Sequence, residues 1–257
     1  EKQEETMIYE IKDTNKISPL FGHWEETLIW SCLQGIMGKI YANDLTAPTA
    51  AMAVIGDFTF FAGEPCPELI AYRPPHCTQN FMIAVPQNKL WENMLTQFYG
   101  KKAKIISRYA TKKEPPIFNK HHLEKIVASL PKQYTLSMID SHFYKLCKSE
   151  AWSKDLVSQF STYEKYRRLG IGVVISKDGL IISGASSYSR YQNGIEIEIE
   201  YRRNGFACIC AAKLILECLK RNLYPSWDAH NKASAALAEK LGYHYSHAYT
   251  ALEIWDY

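Results

Sequence analysis

The stretch Tyr201–Ala207, YRRNGFA, decides which fold this sequence predicts. Before it, Gly194–Glu200 (GIEIEIE) alternates isoleucine and glutamate with the two-residue period of a strand, and after it Phe206–Asn222 has the pattern of a helix. Gly205 permits a tight turn, and the first turn of the following helix presents backbone N–H groups at the positive end of its dipole. The stretch is therefore predicted to bind phosphate, with a plain strand-to-helix turn carrying surface arginines as the alternative.

A second strand and helix follow this turn. Pro225–Ala229 is predicted to be a short strand, and Lys232–Leu241 a helix that Gly242 ends. Asn231 stands just before that helix, where it is either an N-cap or a ligand contact. The two roles are compatible, because a cap leaves the amide donors free. The order of strands and helices indicates an α/β protein. Elsewhere the sequence predicts hairpin turns at Gly56-Asp57 and Asp178-Gly179, and helices at His23–Gly38 and Lys154–Arg168.

These segments together resemble the N-acetyltransferase superfamily abbreviated GNAT. Its pattern is Arg or Gln, Gly, and Gly or Ala after the fourth strand, and then an Asn-led helix after the fifth strand that ends near Lys-x-Gly-Phe/Tyr. The matching residues are Arg202, Gly205, Ala207, Asn231, Ser234, Lys240, Gly242 and Tyr243. The chain resembles more closely a bacterial subfamily that includes the zwittermicin A resistance acetyltransferase, on the segments Ser183–Tyr188, Gly194–Ile199, Tyr201–Ala207, Pro225–Asn231 and Leu237–Tyr243. Weaker similarity extends through Leu130–Asp140 over most of the chain.

The resemblance implies the fold and the co-substrate. It implies an α/β fold of the GNAT acyl-CoA N-acyltransferase type, with a mixed, splayed central sheet and flanking helices. Acetyl-CoA would be the co-substrate, with its pyrophosphate on the loop before the helix, its pantetheine arm along the backbone of the fourth strand, and no metal. The cofactor-binding residues implied are Ile197, Ile199, Arg202, Arg203, Asn204, Gly205, Phe206, Ala207, Asn231 and Ser234.

Two features depart from the family pattern. Many members have a tyrosine seven residues after the Asn, as general acid for the departing thiolate, and this chain has Ala238 there. Either Tyr243, Tyr245 or Ser234 replaces it, or no acid is needed, because a CoA thiolate is a fair leaving group. The link between Ile199 and Arg202 is also a few residues shorter than the resemblance implies, which leaves the strand register near Glu200 open.

The glutamates of Gly194–Glu200 are candidates for proton transfer. Glu196, Glu198 and Glu200 alternate with isoleucines and therefore share one face of the predicted strand. Transfer to an amine needs a group that accepts a proton, and a buried carboxylate near neutral pH can do so. We predict that Glu198 or Glu196 is this base. A solvated face near a sheet edge is the alternative, and Asp228 is a further candidate.

The chain is predicted to contain two domains. Lys112–Pro116 (KKEPP) is a polar break, and His121–Ser129 is predicted as a connecting helix. The expected domains are a smaller N-terminal α/β domain at residues 1–126 and the acetyltransferase domain at residues 127–257. The first domain is interpreted as a degenerate acyltransferase-like lobe or a substrate-specificity lobe.

Composition excludes several function classes. The 257 residues carry a net charge of +3 with scattered lysines, which argues against nucleic acid as a partner. The longest apolar runs are far shorter than the roughly 20 residues of a membrane span. The seven cysteines include no CxxC pair, so a zinc site is not expected, and reduced thiols fit a cytoplasmic protein.

The sequence therefore predicts a function in acyl transfer. We expect an acetyl-CoA-dependent N-acetyltransferase that transfers acetyl directly to a primary amine of a small cationic substrate. A non-catalytic acetyl-CoA-binding sensor or scaffold is the alternative, because the usual tyrosine is missing. A small-molecule amine is the expected partner, and association into a homodimer is compatible with the sequence.

Overall fold

A computed structural model describes residues 7–200 and 205–257 of the chain. The chain divides into two compact units, one containing the residues up to Arg108 together with Ala248–Tyr257, and the other containing Tyr109–His247. The strands are β1 (Tyr9–Ile11), β2 (Lys39–Ala42), β3 (Ala50–Ile55), β4 (Phe58–Gly63), β5 (Phe81–Pro86), β6 (Ala103–Thr111), β7 (Thr135–Met138), β8 (Gly172–Lys177), β9 (Leu180–Tyr191), β10 (Gly194–Glu200), β11 (Tyr224–Ser226), β12 (Asp228–Ala229) and β13 (Tyr245–Trp255). The helices are α1 (Ser18–Phe21), α2 (Thr27–Leu33), α3 (Pro67–Ala71), α4 (Lys89–Tyr99), α5 (Lys120–Ala128), α6 (Ser141–Ser149), α7 (Tyr163–Leu169), α8 (Ala207–Lys220) and α9 (Lys232–Lys240), and short 3₁₀ turns lie at Thr14–Lys16, Gly100–Lys102, Pro115–Ile117 and Lys154–Leu156.

The first unit is built on strands in the order β1-β2-β3-β4-β5-β13-β6, and the last three residues of β6, Tyr109–Thr111, belong to the second unit, where β12 pairs with this end of the strand. The predicted hairpin at Gly56-Asp57 is confirmed, since Ile55 pairs with Phe58 across the turn between β3 and β4. Asn88 caps α4 by accepting the N–H of Trp91 at 3.1 Å. Buried side chains on one face of the sheet form the core with α3 and α4, and they include Met52, Phe61, Leu69, Trp91, Leu95 and Leu252.

The second unit contains a five-stranded sheet with the order β11-β10-β9-β8-β7. Strands β7 to β10 are antiparallel neighbours, and β10 and β11 are parallel. The predicted hairpin at Asp178-Gly179 is confirmed, because both residues have positive φ and Lys177 pairs with Leu180. The isoleucine face of β10 packs in the same apolar cluster as α8, which includes Ile195, Ile197, Ile199, Cys210, Leu214 and Ile215.

Two predicted helices are shorter in the structure. The segment expected to be helical from His23 to Gly38 contains only α2, because Gly35 and Gly38 adopt positive φ after it. The segment expected to be one helix from Lys154 to Arg168 is a 3₁₀ turn followed by α7. Thr162 caps α7 by accepting the N–H of Lys165 at 3.2 Å, so the helix begins there.

The unit boundaries differ from the expected domain limits. The second unit begins at Tyr109 rather than near residue 127, because α5 packs closely on α8. The last ten residues belong to the first unit, since β13 pairs with β5 through Leu252 and Ala84. Which residues carry the acetyltransferase activity is not tested by this division, so the assignment to residues 127–257 stays a prediction.

Candidate active site

The most distinctive feature of the second unit is a fork between two parallel strands. Strands β10 and β11 pair at three positions, the last of which joins Glu196 to Ser226. Two residues later the chain changes partners, because Asp228 pairs with Ala110 of β6. Within the described residues, Ile197–Glu200 pair with β9 alone. The predicted strand at Pro225–Ala229 is therefore two strands, and the splay expected between β10 and its neighbour is present.

Strand β10 is also interrupted on its other side at the same point. Glu196 lies opposite Ser189 of β9, whereas the next residue, Ile197, lies opposite Ser187, so that Tyr188 is an extra residue in β9. Such bulges re-aim side chains and frequently occur beside active sites. Between Glu196 and Ile197, therefore, the pairing of β10 with β11 ends and its pairing with β9 shifts register.

Glu196 occupies the apex of the fork. It is 4% exposed, and its Oε1 accepts the backbone N–H of Asp228 at 2.7 Å. Ser189 and Ser226 lie opposite it on the two neighbouring strands and are fully buried. Their hydroxyl groups have no hydrogen-bond partner among residues 7–200 and 205–257. The predicted base Glu196 therefore lies in a buried polar row across three strands, which sequence reasoning did not foresee.

Glu198, the other predicted base, is half-buried on the same face of β10. It lies opposite Ser186 of β9, whose Oγ shares a hydrogen bond of 2.9 Å with the hydroxyl of Tyr166 on α7. Burial raises the pKa of the Tyr166 phenol well above its ordinary value, so this hydroxyl keeps its proton at neutral pH. Glu198 is thus placed beside a fixed hydroxyl pair rather than on an open surface.

Glu200 ends the acidic face of β10. Burial, and then the charge of Asp155, raise the pKa of its carboxyl from 4.5 to about 7. Its partner in β9 is Gly184, and a Cβ at Gly184 would lie 2.5 Å from Leu156 Cδ1. The 3₁₀ turn at Lys154–Leu156 therefore covers this end of the strand. Sequence reasoning placed Glu200 on the face but missed Asp155, because it predicted a continuous helix there.

Helix α8 begins shortly beyond β10. Gly205 has a φ of +80°, a left-handed conformation that favours glycine. Apart from Gly205 and its chain neighbours, no atom of the described residues lies within 4 Å of the position that a Cβ would take there. Phe206 is the N-cap residue and provides no side-chain hydrogen bond to the first turn. Its ring packs edge-on against Tyr134 with centroids 4.6 Å apart. The predicted cofactor contacts Arg202, Arg203 and Asn204 lie outside the described residues.

Asn231 and Ser234 lie at the start of α9. Asn231 is its N-cap, with Oδ1 accepting the N–H of Ser234 at 2.8 Å, so the capping interpretation is confirmed. The side chain is exposed, and its amide nitrogen is a separate donor. Ser234 is buried, and its Oγ accepts the indole N–H of Trp227 at 3.2 Å. Their contacts with a cofactor stay predictions.

The position of the usual family tyrosine lies in the core. Ala238 is fully buried, within the apolar cluster that also contains Leu214 and Tyr243. Tyr243 is 1% exposed, its hydroxyl donates to the carbonyl of Pro225 at 2.5 Å, and burial raises its pKa well above the ordinary value. The structure thus shows Tyr243 as a packing residue that anchors β11. Its predicted role as an acid is not tested by these contacts.

The acidic side chains of the described chain are not grouped as metal ligands. In the ranges 7–200 and 205–257, no three His, Cys, Asp or Glu side chains are placed to hold a metal ion. Nor does any helix of the described chain have the length and apolar character needed to cross a bilayer.

Comparison with known proteins identifies the family. The family model described as GNAT acetyltransferase matches residues 18–252. A GCN5-related N-acetyltransferase-like protein from Streptococcus suis is 44% identical, with a TM-score of 0.89 over 94% of this chain and 98% of that one. The chain therefore belongs to the GNAT acetyltransferase family, has its mixed α/β fold, and is an acetyltransferase.

More distant structures show the fold alone. A Drosophila protein is 11% identical with a TM-score of 0.58, covering 97% of this chain and 98% of its own. A GCN5-related N-acetyltransferase from Kribbella flavida is 16% identical with a TM-score of 0.52, covering 81% of this chain and 86% of its own. No curated protein matches the chain.

Proposed function

We propose that this acetyltransferase takes acetyl-CoA and transfers the acetyl group directly to a primary amine of a small cationic substrate. The observation that carries the proposal is the acidic face of β10, where Glu196, Glu198 and Glu200 run from the fork to the start of the loop before α8. Carboxylates attract a cationic amine and can accept its proton. An anionic acceptor would be repelled by this face.

The residues around the fork fit acetyl-CoA as the co-substrate. The first turn of α8 presents backbone N–H groups that have no acceptor within the helix, and such groups can receive the pyrophosphate. The backbone of Ile197 and Ile199 borders the gap left when β11 ends, and it can pair with the amides of a pantetheine arm. Asn231 follows shortly after β12, and its capping role leaves the amide donors available for the same ligand. No group that binds a metal is needed for this chemistry.

The reaction needs one proton acceptor and a leaving group. The neutral amine nitrogen attacks the thioester carbonyl carbon, the carbon–sulfur bond breaks, and the CoA thiolate leaves with the bonding electrons. The amine proton passes to Glu198 or Glu196, directly or through water. A backbone N–H group of β10 near Glu196 and Ile197, where the strand pairing changes, would polarise the carbonyl oxygen of the thioester. Because the thiolate is a fair leaving group, the reaction does not require an acid at Ala238.

Charge and resemblance support the proposed substrate class. Asp155 adds a fourth carboxylate near the end of β10, where its charge acts on Glu200 and raises the pKa of that carboxyl. The resemblance to the zwittermicin A resistance subfamily supports an amine-bearing small molecule as the acceptor. All seven cysteines are free thiols, which supports a reducing compartment such as the bacterial cytoplasm.

A screen of amines tests the proposal. Purified protein is given acetyl-CoA and members of a library of polyamines, amino sugars, amino-group antibiotics and peptides, and free thiol release is measured. Release that depends on a cationic amine, and that weakens as salt screens the charges, is expected. Glu198→Gln should lower kcat by about 10²-fold while acetyl-CoA still binds. Thiol release that occurs only with neutral or anionic acceptors would refute the amine proposal.

A further inference from the structure

We propose that Glu196 is a positioning residue that holds the fork between β10 and β11 open, through the hydrogen bond from the backbone N–H of Asp228 to its carboxylate. The proposal rests on the function proposed above, because the fork matters only if it receives the acyl-CoA. The proposal gives Glu196 and Glu198 different roles, although both lie on one face of the strand and both are flanked by isoleucines in the sequence.

The register of the strands shows what the side chain does. The parallel pairing of β10 and β11 stops at Glu196 and Ser226, and β12 then joins β6. If the ladder continued, the N–H of Asp228 would bond the backbone of β10. Instead it donates to the Glu196 side chain at 2.7 Å. The side chain reaches across the gap and supplies the acceptor that the diverged backbone no longer offers, so β11 can leave β10 without losing this bond.

The surroundings of Glu196 favour a fixed carboxylate over one that exchanges protons with a substrate. Because only 4% of the residue is exposed, the Glu196 carboxyl presents little surface to an acceptor amine. The neighbours opposite it are the buried serines Ser189 and Ser226, whose hydroxyls form a polar row with it. Burial first, and then the charge of Glu196, raise the pKa values of the Tyr191 and Tyr224 phenols, so both stay neutral beside it.

The bond also bears on the cofactor contacts that follow in sequence. Trp227, between Ser226 and Asp228, donates its indole N–H to Ser234 at 3.2 Å. Asn231 caps the same helix, shortly after Asp228. Fixing Asp228 therefore fixes the start of α9, where the predicted pantetheine contact lies. Loss of the Glu196 carboxylate as hydrogen-bond acceptor for Asp228 should therefore weaken acetyl-CoA binding more than it slows acetyl transfer.

Two substitutions at Glu196 distinguish positioning from base catalysis. Glu196→Gln keeps an oxygen that accepts the N–H of Asp228 but cannot take the amine proton, whereas Glu196→Leu removes the acceptor and keeps the bulk. Acetyl-CoA affinity is measured by calorimetry without an amine, and kcat at saturating acetyl-CoA is measured across the neutral pH range. Glu198→Gln on the same face is the matched control.

We expect Glu196→Leu to weaken acetyl-CoA binding by about 10-fold or more, and Glu196→Gln to restore affinity to within about threefold of the wild type. The Gln variant should keep the acid limb of the pH profile, with kcat lowered less than about tenfold, whereas Glu198→Gln should lose that limb. A kcat loss of about 10²-fold in Glu196→Gln with intact affinity would overturn the proposal and make Glu196 the base. Equal affinity in the Leu, Gln and wild-type proteins would also overturn it.

The affinity outcomes do not depend on the acceptor amine. If Glu196→Leu does not fold, the affinity and pH profile of Glu196→Gln still decide between the two roles. If no amine releases thiol, the proposed function fails, but the calorimetric comparison of acetyl-CoA affinity still tests the positioning role.

Discussion

At the scale of single residues, the backbone conformation of Gly205 limits which residue the predicted phosphate loop can have at this position. Its φ of +80° disfavours any side chain, while no atom of the described residues would collide with a Cβ. Gly205→Ala should therefore cost about 1 kcal/mol of unfolding free energy and weaken acetyl-CoA binding. Gly205→Trp should abolish the binding by bulk. Urea unfolding and calorimetry measure the two effects, and an alanine variant as stable as the wild type would contradict the strain argument.

A second residue, Glu200, should make stability depend on pH. Its pKa is raised to about 7, mainly by burial and then by Asp155, so the folded protein holds this proton more tightly than the unfolded chain does. The contribution of Glu200 to the unfolding free energy is therefore largest below about pH 4.5, and this contribution is lost as the pH rises through about 7. Because the side chain is partly exposed, solvent limits the loss to about 1–2 kcal/mol.

Glu200→Gln is the test of that pH dependence. Since the amide does not titrate, the variant should lose less unfolding free energy than the wild type between about pH 5 and pH 8. Urea unfolding of both proteins at the two pH values measures the difference. Asp155→Asn should give a smaller change in the same direction, because burial is the larger cause of the raised pKa. Identical pH dependence in all three proteins would contradict the raised pKa.

At the scale of elements, Asn231 joins a structural role to a predicted binding role. Its Oδ1 caps α9, whereas its amide N–H₂ is the predicted donor to the pantetheine arm. Asn231→Ala should cost about 1 kcal/mol of stability and also weaken acetyl-CoA binding. Asn231→Asp keeps the cap but removes the donors, so it should lose affinity with stability intact. Thermal unfolding without ligand and calorimetry separate the roles, and full affinity in Asn231→Asp would leave only the cap.

The elements also show where sequence reasoning succeeds and where it ends. The hairpins at Gly56-Asp57 and Asp178-Gly179 could be predicted, because their turn chemistry is local. The break in the predicted helix after Lys154 was missed, since the N-cap role of Thr162 competes with helix continuation in a way that an apolar pattern does not show. The split of Pro225–Ala229 was missed because it depends on pairing with β6, which is distant in sequence.

The candidate site, too, could be predicted only where it depends on residues close together in the sequence. Alternation at Glu196, Glu198 and Glu200 predicted a shared strand face, and the fork lies where the motif placed it. The different burial of the three carboxyls could not be predicted, because it arises from Asp228 and from the turn at Lys154–Leu156. Sequence spacing identifies residues on one strand, whereas their ionisation depends on what other elements place against them.

At the scale of the whole molecule, the two compact units allow the location of the activity to be tested. The motifs all lie in the second unit, although β13 returns the last residues of the chain to the first. Acetyl-CoA at about 100 times its Kd should stabilise the part that binds it by about 2.7 kcal/mol. Hydrogen exchange measures this stabilisation region by region, without assuming that both units unfold together.

Protection by acetyl-CoA should concentrate in β10, the start of α8 and the start of α9. Slower exchange is expected there because ligand binding suppresses the local opening of the fork and of the two helix N-termini. Gly205→Trp is the control, and it should show no added protection at the same acetyl-CoA concentration. Protection mainly of residues up to Arg108 would instead place the cofactor on the first unit, and would refute the assignment of the acetyltransferase activity to residues 127–257. Absence of protection anywhere at millimolar acetyl-CoA would refute the co-substrate itself.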